Sequence, residues 1–310
     1  MPALIILVYA AGVYLLMLAV LGYAVGFFAG FAVPKGIDQG SRAAAPAAVA
    51  VDVLLLALFA VQHTVMARPW FKRGWTRIVP AAAERATFVL AASLALALLF
   101  WLWRPVGGTA WNLAGPGADV VWAVYAAGWA VVVSSTFLVS HFDLVGLRQA
   151  WLHARRVSYT PPPFTQRGLY GRIRHPLMAG FIIVFWSAPV MTAGHLLLAA
   201  AATVYIGVGV AFEEHDLVQS LGGTYTAYRA RVPALIPRLW PRRPVPKSQR
   251  SQETAGSRHH GKQDSNHPGG GPSAGSRPRG SAGPDRHIPA ARAARAGPGD
   301  GSRIPGAGRA

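Results

Sequence analysis

Two charged dipeptides bracket the last hydrophobic part of this chain. Arg174-His175 opens it, within GLYGRIRHPLMAG, and Glu213-Glu214 closes it, within FEEHDLVQSLGGTYTAYRARVPALIP. Ionisable side chains where a chain enters and leaves a bilayer are expensive, and they mark functional sites by default. The cations suit an anion such as a carboxylate. The carboxylates suit an ammonium or hydroxyls, through charge-assisted hydrogen bonds. Adjacent helical residues point about 100° apart, so one member of each pair can face a ligand while the other supports it. Pro176 fits the first turn of a helix, where its missing N–H does no harm. That leaves Arg174 and His175 at a helix N-terminus, a good place for an anion. Taken singly, Arg174 reads as a positive-inside anchor and the glutamates as a solvated helix end. Their joint placement, with Tyr225, Tyr228 and Arg231 following, favours a site. Tyr225 and Tyr228 share one helix face, as interfacial anchors or as walls of an aromatic slot. Pro233 and Pro237 then end the fold.

Other polar residues sit at or in apolar runs. His63 lies in VQHTVMARPWFKR, His141 and Asp143 in SHFDLVGLRQAWL, and His195 in MTAGHLLLA. A lone histidine is more often structural than a ligand. His63, His141 and Asp143 nevertheless reach the same membrane face as Arg174 and Glu214, where they can line a substrate chamber. His195 falls on the opposite face, which suits a capping role.

The elements that must hold these residues are membrane helices. The chain has 310 residues, 52% apolar and only 14% charged, which belongs with integral membrane proteins. It has no cysteine, which excludes disulfides, thiolate metal sites and thiol catalysis. The net charge of +18 suggests nucleic acid, but residues 241–310 carry thirteen Lys/Arg against four Asp/Glu, half of the excess. No nucleic-acid motif accompanies the rest, so no nucleic-acid partner is expected. About 20 apolar residues cross a bilayer core as a helix. Six runs qualify: 4–32, 48–67, 86–103, 119–140, 176–193 and 196–213, the last two a hairpin turning at Thr192-Ala193-Gly194. The first charge is Lys35, and the run before it is too long for a signal peptide, so it reads as a retained span.

Lys and Arg mark cytoplasmic loops. Arg68, Lys72, Arg73, Arg77 and Arg85 fall in one loop, and Arg148, Arg155, Arg156, Arg167, Arg172 and Arg174 in another. The alternate loops hold only Lys35 and Arg42, then Arg104. Both termini are therefore expected in the cytoplasm. Gly22, Gly26 and Gly30 form a small-residue face on the first span, for packing within the chain or between copies. Beyond Trp240 about a third of the residues are Gly or Pro. Such a segment cannot offset its chain entropy by burial, so 241–310 is expected to be a disordered basic tail behind a 1–240 membrane domain.

The segments HTVMARPWFK, ERATFVLAASLALALLFWLWRP, HFDLVGLRQAWL, LYGRIRHPLMAGFIIVFWSAPVMTAGHLLLA and FEEHDLV with YTAYRARVP together resemble the methanethiol S-methyltransferases. These are bacterial membrane enzymes that make dimethyl sulfide, and the likeness covers residues 50–237. The C-terminal hairpin pattern is shared with the wider isoprenylcysteine carboxyl methyltransferase superfamily, and it implies S-adenosylmethionine (SAM) as methyl donor. The HFDLVGLRQ segment separates this group from prenylcysteine enzymes and from NnrU-like membrane proteins.

The resemblance implies an all-α, polytopic integral membrane protein of five to six transmembrane helices, with the SAM pocket in a C-terminal hairpin at about 164–237. It implies cofactor contacts at Tyr170, Arg174, His175, Pro176, Gly180, Glu213, Glu214, Tyr225, Tyr228 and Arg231. From their location at the same membrane face, the candidate catalytic residues are His141, Asp143 and Arg148. Arg148 or a protonated His141 would steady a thiolate, and Asp143 would orient that histidine. SAM carries its own activation, so no metal is expected. The partners implied are a small thiol and the lipid bilayer of a bacterial inner membrane, with oligomeric state left open. Two other readings stay open: a methyltransferase for a lipid or prenylcysteine, and a non-catalytic, haem-associated protein of the NnrU type.

Overall fold

The computed structural model describes residues 2–41 and 43–237. Arg42, counted above among the loop cations, lies outside the described residues, and so does the segment expected to be a disordered tail.

In lipid an apolar stretch can satisfy its backbone only as a helix. The chain runs through α1 (Ala3–Ala29), α2 (Ala45–Ala67), the short α3 (Pro69–Trp75) and α4 (Ala81–Leu102). A strand β1 (Thr109–Asn112) precedes α5 (Pro116–Val139), followed by α6 (His141–Leu144) and α7 (Leu147–Ala154). A 3-10 turn at Gly168–Gly171 leads to α8 (Pro176–Trp186), β2 (Val190–Thr192), α9 (Ala193–Leu221) and α10 (Gly223–Arg231). Proline stands in the first turn of α2, α3, α5 and α8, where it starts a helix without losing a bond. Helices α1, α2, α4, α5 and α9 are long and apolar enough to cross a membrane. They expose Leu4, Val8, Leu15, Leu54, Leu58, Phe137 and Val204, as lipid-facing helices do. The protein is an all-α integral membrane protein.

The first four expected spans coincide with α1, α2, α4 and α5 to within a few residues. The fifth does not. Helix α8 has eleven residues, about 16 Å at the helical rise, roughly half of a bilayer core. It stops because Pro189 forces the preceding backbone to extend, and the chain reaches the far side as Ser187-Ala188-Pro189 and β2. Strand β2 pairs antiparallel with β1, Trp111 opposite Met191 and Asn112 opposite Val190. The Trp111 indole N–H also donates to the Ala188 carbonyl at 2.9 Å. The sixth span is longer than expected. Helix α9 continues to Leu221, so Glu213 and Glu214 lie within it rather than at its end.

Packing divides along the helix axes. Phe27, Phe28, Leu55, Phe100, Trp103, Tyr125, Val184 and Leu198 form one buried cluster drawn from α1, α2, α5, α8, α9 and the end of α4. Helices α5 and α8 cross on glycines: a Cβ at Gly128 would stand 3.0 Å from Val184, and one at Gly180 only 2.9 Å from Val132. At the sheet end, the Lys35 ammonium donates to the carbonyls of Trp101 and Trp103 at 2.5 and 2.8 Å. It closes α4 where the helix dipole is negative. The Asp52 carboxylate, fully buried, accepts from the Arg104 N–H at 2.9 Å. Gly30 is the left-handed C-cap of α1 at φ +75, Gly26 is covered by the chain's own Val33, and a Cβ at Gly22 would meet nothing within 4 Å.

Candidate active site

The end of the bundle away from the sheet collects the charged residues. His175 caps α8, and Pro176 opens it. The closing segment of the chain lies across this start. The Arg174 N–H donates to the Pro233 carbonyl at 2.8 Å, and the His175 N–H to Ala234 at 3.0 Å. Helix α9 returns antiparallel to α8 and brings Glu214 against both side chains. Arg174 reaches Glu214 Oε1 with Nη2 at 2.6 Å and Nε at 2.7 Å. His175 Nε2 is 3.1 Å from the same oxygen. Arg229, from α10, meets Oε2 at 3.3 Å. The Arg174 guanidinium also donates to the carbonyls of Val232 and, at 3.2 Å, of Arg229. A carboxylate side chain only 8% exposed tolerates such burial because both of its oxygens are paired with cations. Glu213, about 100° around the helix, is 50% exposed and only 3.4 Å from His175 Nδ1.

Aromatic rings wall this cluster. Tyr225 and Tyr228 are buried in α10, and Phe164 meets both edge-on. The Tyr228 hydroxyl donates to the Tyr170 carbonyl at 2.6 Å. The Tyr225 hydroxyl is buried with no hydrogen-bond partner. Burial pushes the Tyr225 and Tyr170 phenols up to about 12, helped by the nearby charges of Glu214 and Glu213 respectively. Both stay protonated donors at ordinary pH. Arg231 bonds Gln166 Oε1 at 3.3 Å. An open cleft of about 420 Å³ adjoins the cluster, lined by Val210, Ala211, Glu214, His215, Val218 and Arg229 among others. Its size suits a small molecule, and it offers a carboxylate, a guanidinium and an apolar wall together. Those features, with the orphaned Tyr225 hydroxyl beside them, fit the donor that the hairpin pattern implies. Gly180 stands apart from this set, its Cα face turned onto α5.

The three residues expected to be catalytic divide. Arg148 pairs with Asp143 at 3.0 Å and donates to the Thr160 carbonyl at 2.8 Å. The Tyr159 hydroxyl donates to Asp143 Oδ2 at 3.0 Å. These residues pin the Ser158–Phe164 stretch beside a cleft of about 730 Å³, whose walls include Lys72, Glu84, Arg85, Asp143 and Tyr159. Asp143 does not orient His141, contrary to expectation. Residues two apart on a helix point to opposite sides, and His141 instead meets Tyr14 at 3.0 Å and Thr136 at 2.9 Å. Its ring stacks on Phe137 at 4.4 Å. Of the other histidines, His63 packs between Phe59 and Phe88. His195 is buried in the first turn of α9, where Thr192, rather than the imidazole, caps the helix by accepting the His195 N–H.

Sequence reasoning missed Arg229, the third side chain that meets Glu214, although its place next to Tyr228 was a usable signal. It also missed Tyr159 and Phe164. Their PPP-interrupted stretch shows no periodicity, and their partners are distant in sequence.

No family model matches the chain, and no solved structure matches it. Curated relatives do. A methanethiol S-methyltransferase of Mycobacterium tuberculosis is 48% identical over 238 residues, 76% of this chain and 97% of that protein. Methanethiol S-methyltransferase 2 of Bradyrhizobium diazoefficiens is 48% identical over 240 residues, 77% of this chain and 93% of the relative. Nurim of Mus musculus is more distant, 29% identical over 180 residues, 55% of this chain and 68% of its own length. Identity at that level along almost the whole of the first two relatives decides the matter: the chain belongs to the methanethiol S-methyltransferase family.

Proposed function

We propose that this protein transfers the methyl group of SAM to methanethiol, giving dimethyl sulfide, S-adenosylhomocysteine and a proton. The observation that carries this reading is the 48% identity to methanethiol S-methyltransferases over nearly their full length. The site supports its donor half. In this reading SAM lies in the cleft beside α9. Its ammonium sits on Glu214, and its carboxylate sits on Arg229 and Arg174. Val210, Ala211 and Val218 face the adenosine. His175 and, behind it, Glu213 hold Glu214 in place. Tyr170, Tyr225, Tyr228 and Arg231 keep α10 closed over the α8 start, and Pro176 fixes the turn from which Arg174 projects. Asp143 and Arg148 act by pinning the Ser158–Phe164 stretch, which carries Phe164 to the tyrosines. His141 anchors the end of α5 to α1.

Methyl transfer from a sulfonium is an in-line displacement, so alignment supplies much of the rate. A thiolate is a far better nucleophile than a thiol. A small membrane-permeant thiol suits a chamber opening within the bilayer, where exclusion of water strips solvent from the nucleophile. In this reading the protein sits in the inner membrane of a bacterium, with both ends of the bundle domain in the cytoplasm, where SAM is made.

Purified protein in lipid nanodiscs, given SAM and a panel of methanethiol, larger thiols, a prenylcysteine and bulk lipid, tests the reading. Dimethyl sulfide in the headspace is expected, with turnover falling steeply as the thiol grows. Methyl label in the prenylcysteine or lipid instead would overturn it.

A further inference from the structure

The end of the bundle rich in Lys and Arg carries the larger cleft, of about 730 Å³, which methyl transfer as proposed above does not use. We propose that it seats the phosphate of one anionic phospholipid from the surrounding bilayer, between α3, the start of α4 and α7.

The cleft forms because α7 lies across the first turns of two spans. Ala150 packs into a buried cluster with Ile6 and Ala10 of α1 and with Ala83 and Ala86 of α4. Helix α7 then gives His153 to the walls of the cleft, α3 gives Lys72, and α4 gives Glu84 and Arg85. Their charges select an anion. Asp143, also in the wall, is already matched by Arg148 and by the Tyr159 hydroxyl, each at 3.0 Å. Glu84 lies 4.0 Å from Lys72. Arg85 meets no carboxylate among the described residues. Its Nε donates to the Leu144 carbonyl at 3.0 Å, and its guanidinium lies over Phe88 at 5.4 Å. Burial, and after it the like charges of Arg85 and Arg68, hold the Lys72 ammonium below the usual lysine range in spite of Glu84. A phosphate relieves that crowding, and its oxygens suit a guanidinium fork and an ammonium together.

The position of the cleft selects the source of the phosphate. Ala81 lines it and also begins α4, a helix long and apolar enough to cross a membrane. The cleft therefore lies at the depth of the lipid headgroups. Its rim is apolar: Val157, in the wall, is 53% exposed, and Ile78, three residues before Ala81, is 79% exposed. A soluble anion gains nothing from that rim, whereas an acyl chain covers it. Basic pockets beside membrane helices hold lipid headgroups in this way.

The test uses full-length protein in a neutral detergent at about 0.15 M salt, where exposed charges are screened. Native mass spectrometry counts bound lipid and gives its dissociation constant. One phosphatidylglycerol is expected to bind at least about tenfold more tightly than phosphatidylcholine, whose headgroup cancels its own charge. Arg85→Gln should weaken it by about tenfold or more, as loss of a charge-assisted bond does. Lys72→Gln should weaken it by about fivefold. Arg73→Gln removes an exposed cation of α3 outside the cleft, and should change the affinity less than about twofold. The basic segment 241–310 is the same in every variant, so it cannot produce these differences. An equal loss in Arg73→Gln would mean diffuse attraction to a basic surface and would overturn the proposal, as would equal affinity for the two lipids. Displacement of the lipid by millimolar inorganic phosphate would make this a site for a soluble anion and overturn it too. If Arg85→Gln does not fold, the contrast between Lys72→Gln and Arg73→Gln decides alone.

Discussion

Glu214→Ala is expected to lower S-adenosylhomocysteine affinity by more than about two decades, since it removes a carboxylate that several charge-assisted bonds share. It should also destabilise the fold by about 3–5 kcal/mol, because the buried Arg174 guanidinium loses its counter-ion. The expectation follows from one carboxylate, only 8% exposed, shared by Arg174, His175 and Arg229 at 2.6, 3.1 and 3.3 Å. The neighbouring Glu213→Ala should cost about 1 kcal/mol or less, as exposed pairs do. Its carboxylate is half exposed, with a contact to His175 at 3.4 Å. Competition titration and thermal unfolding in nanodiscs measure both. Equal sensitivity of the two glutamates would contradict the assignment of Glu214 as the centre of the cluster.

The second large effect lies at Gly146. Its φ is +85, and a Cβ there would stand 2.5 Å from the Ala86 nitrogen and 3.0 Å from its Cα, within the backbone of α4. A left-handed residue with a side chain costs roughly 1–2 kcal/mol. The contact is with helix backbone, which cannot step aside. Gly146→Ala should therefore destabilise by more than about 4 kcal/mol, in the exceptional range for one substitution. Its accumulation in membranes should fall accordingly. Gly22→Ala, where nothing lies within 4 Å, serves as the control and should be neutral or stabilising, since alanine is the better helix former. Fluorescence-detected size exclusion after heating reads both. A Gly146→Ala protein as stable as the wild type would mean that α6 and α7 do not pack on α4 as described.

Gly146 also accounts for the HFDLVGLRQ segment in physical terms. His141 bonds α1, Asp143 and Arg148 bond one another and the 159–160 backbone and ring, and Gln149 donates to the Asp143 carbonyl at 3.2 Å. The segment holds the 158–164 stretch against the bundle. Its sequence suggested chemistry because His, Asp and Arg are the residue types that do both jobs.

The long helices were legible because a run of some twenty apolar residues has one solution in lipid. Arg174, His175 and Glu214 were legible as a group because charge at both ends of an apolar hairpin is too costly to persist unused. Which glutamate turns inward was not, since that depends on the phase of α9, and α9 runs on past both. The shortness of α8 was visible only in Pro189, which an apolar count ignores. The two-residue spacing of His141 and Asp143 already set them on opposite sides of a helical turn; their partners, Tyr14 of α1 for one and Tyr159 for the other, are distant in sequence and were not legible.

Methyl transfer from SAM to methanethiol is the reaction proposed for this chain. Purified protein given SAM with a trideuterated methyl group and unlabelled methanethiol tests it most directly, with the headspace read by mass spectrometry. Dimethyl sulfide with one deuterated and one ordinary methyl, formed in step with S-adenosylhomocysteine and lost in Glu214→Ala, is the result predicted. Unlabelled dimethyl sulfide, or S-adenosylhomocysteine appearing while the label enters lipid or prenylcysteine, would contradict it.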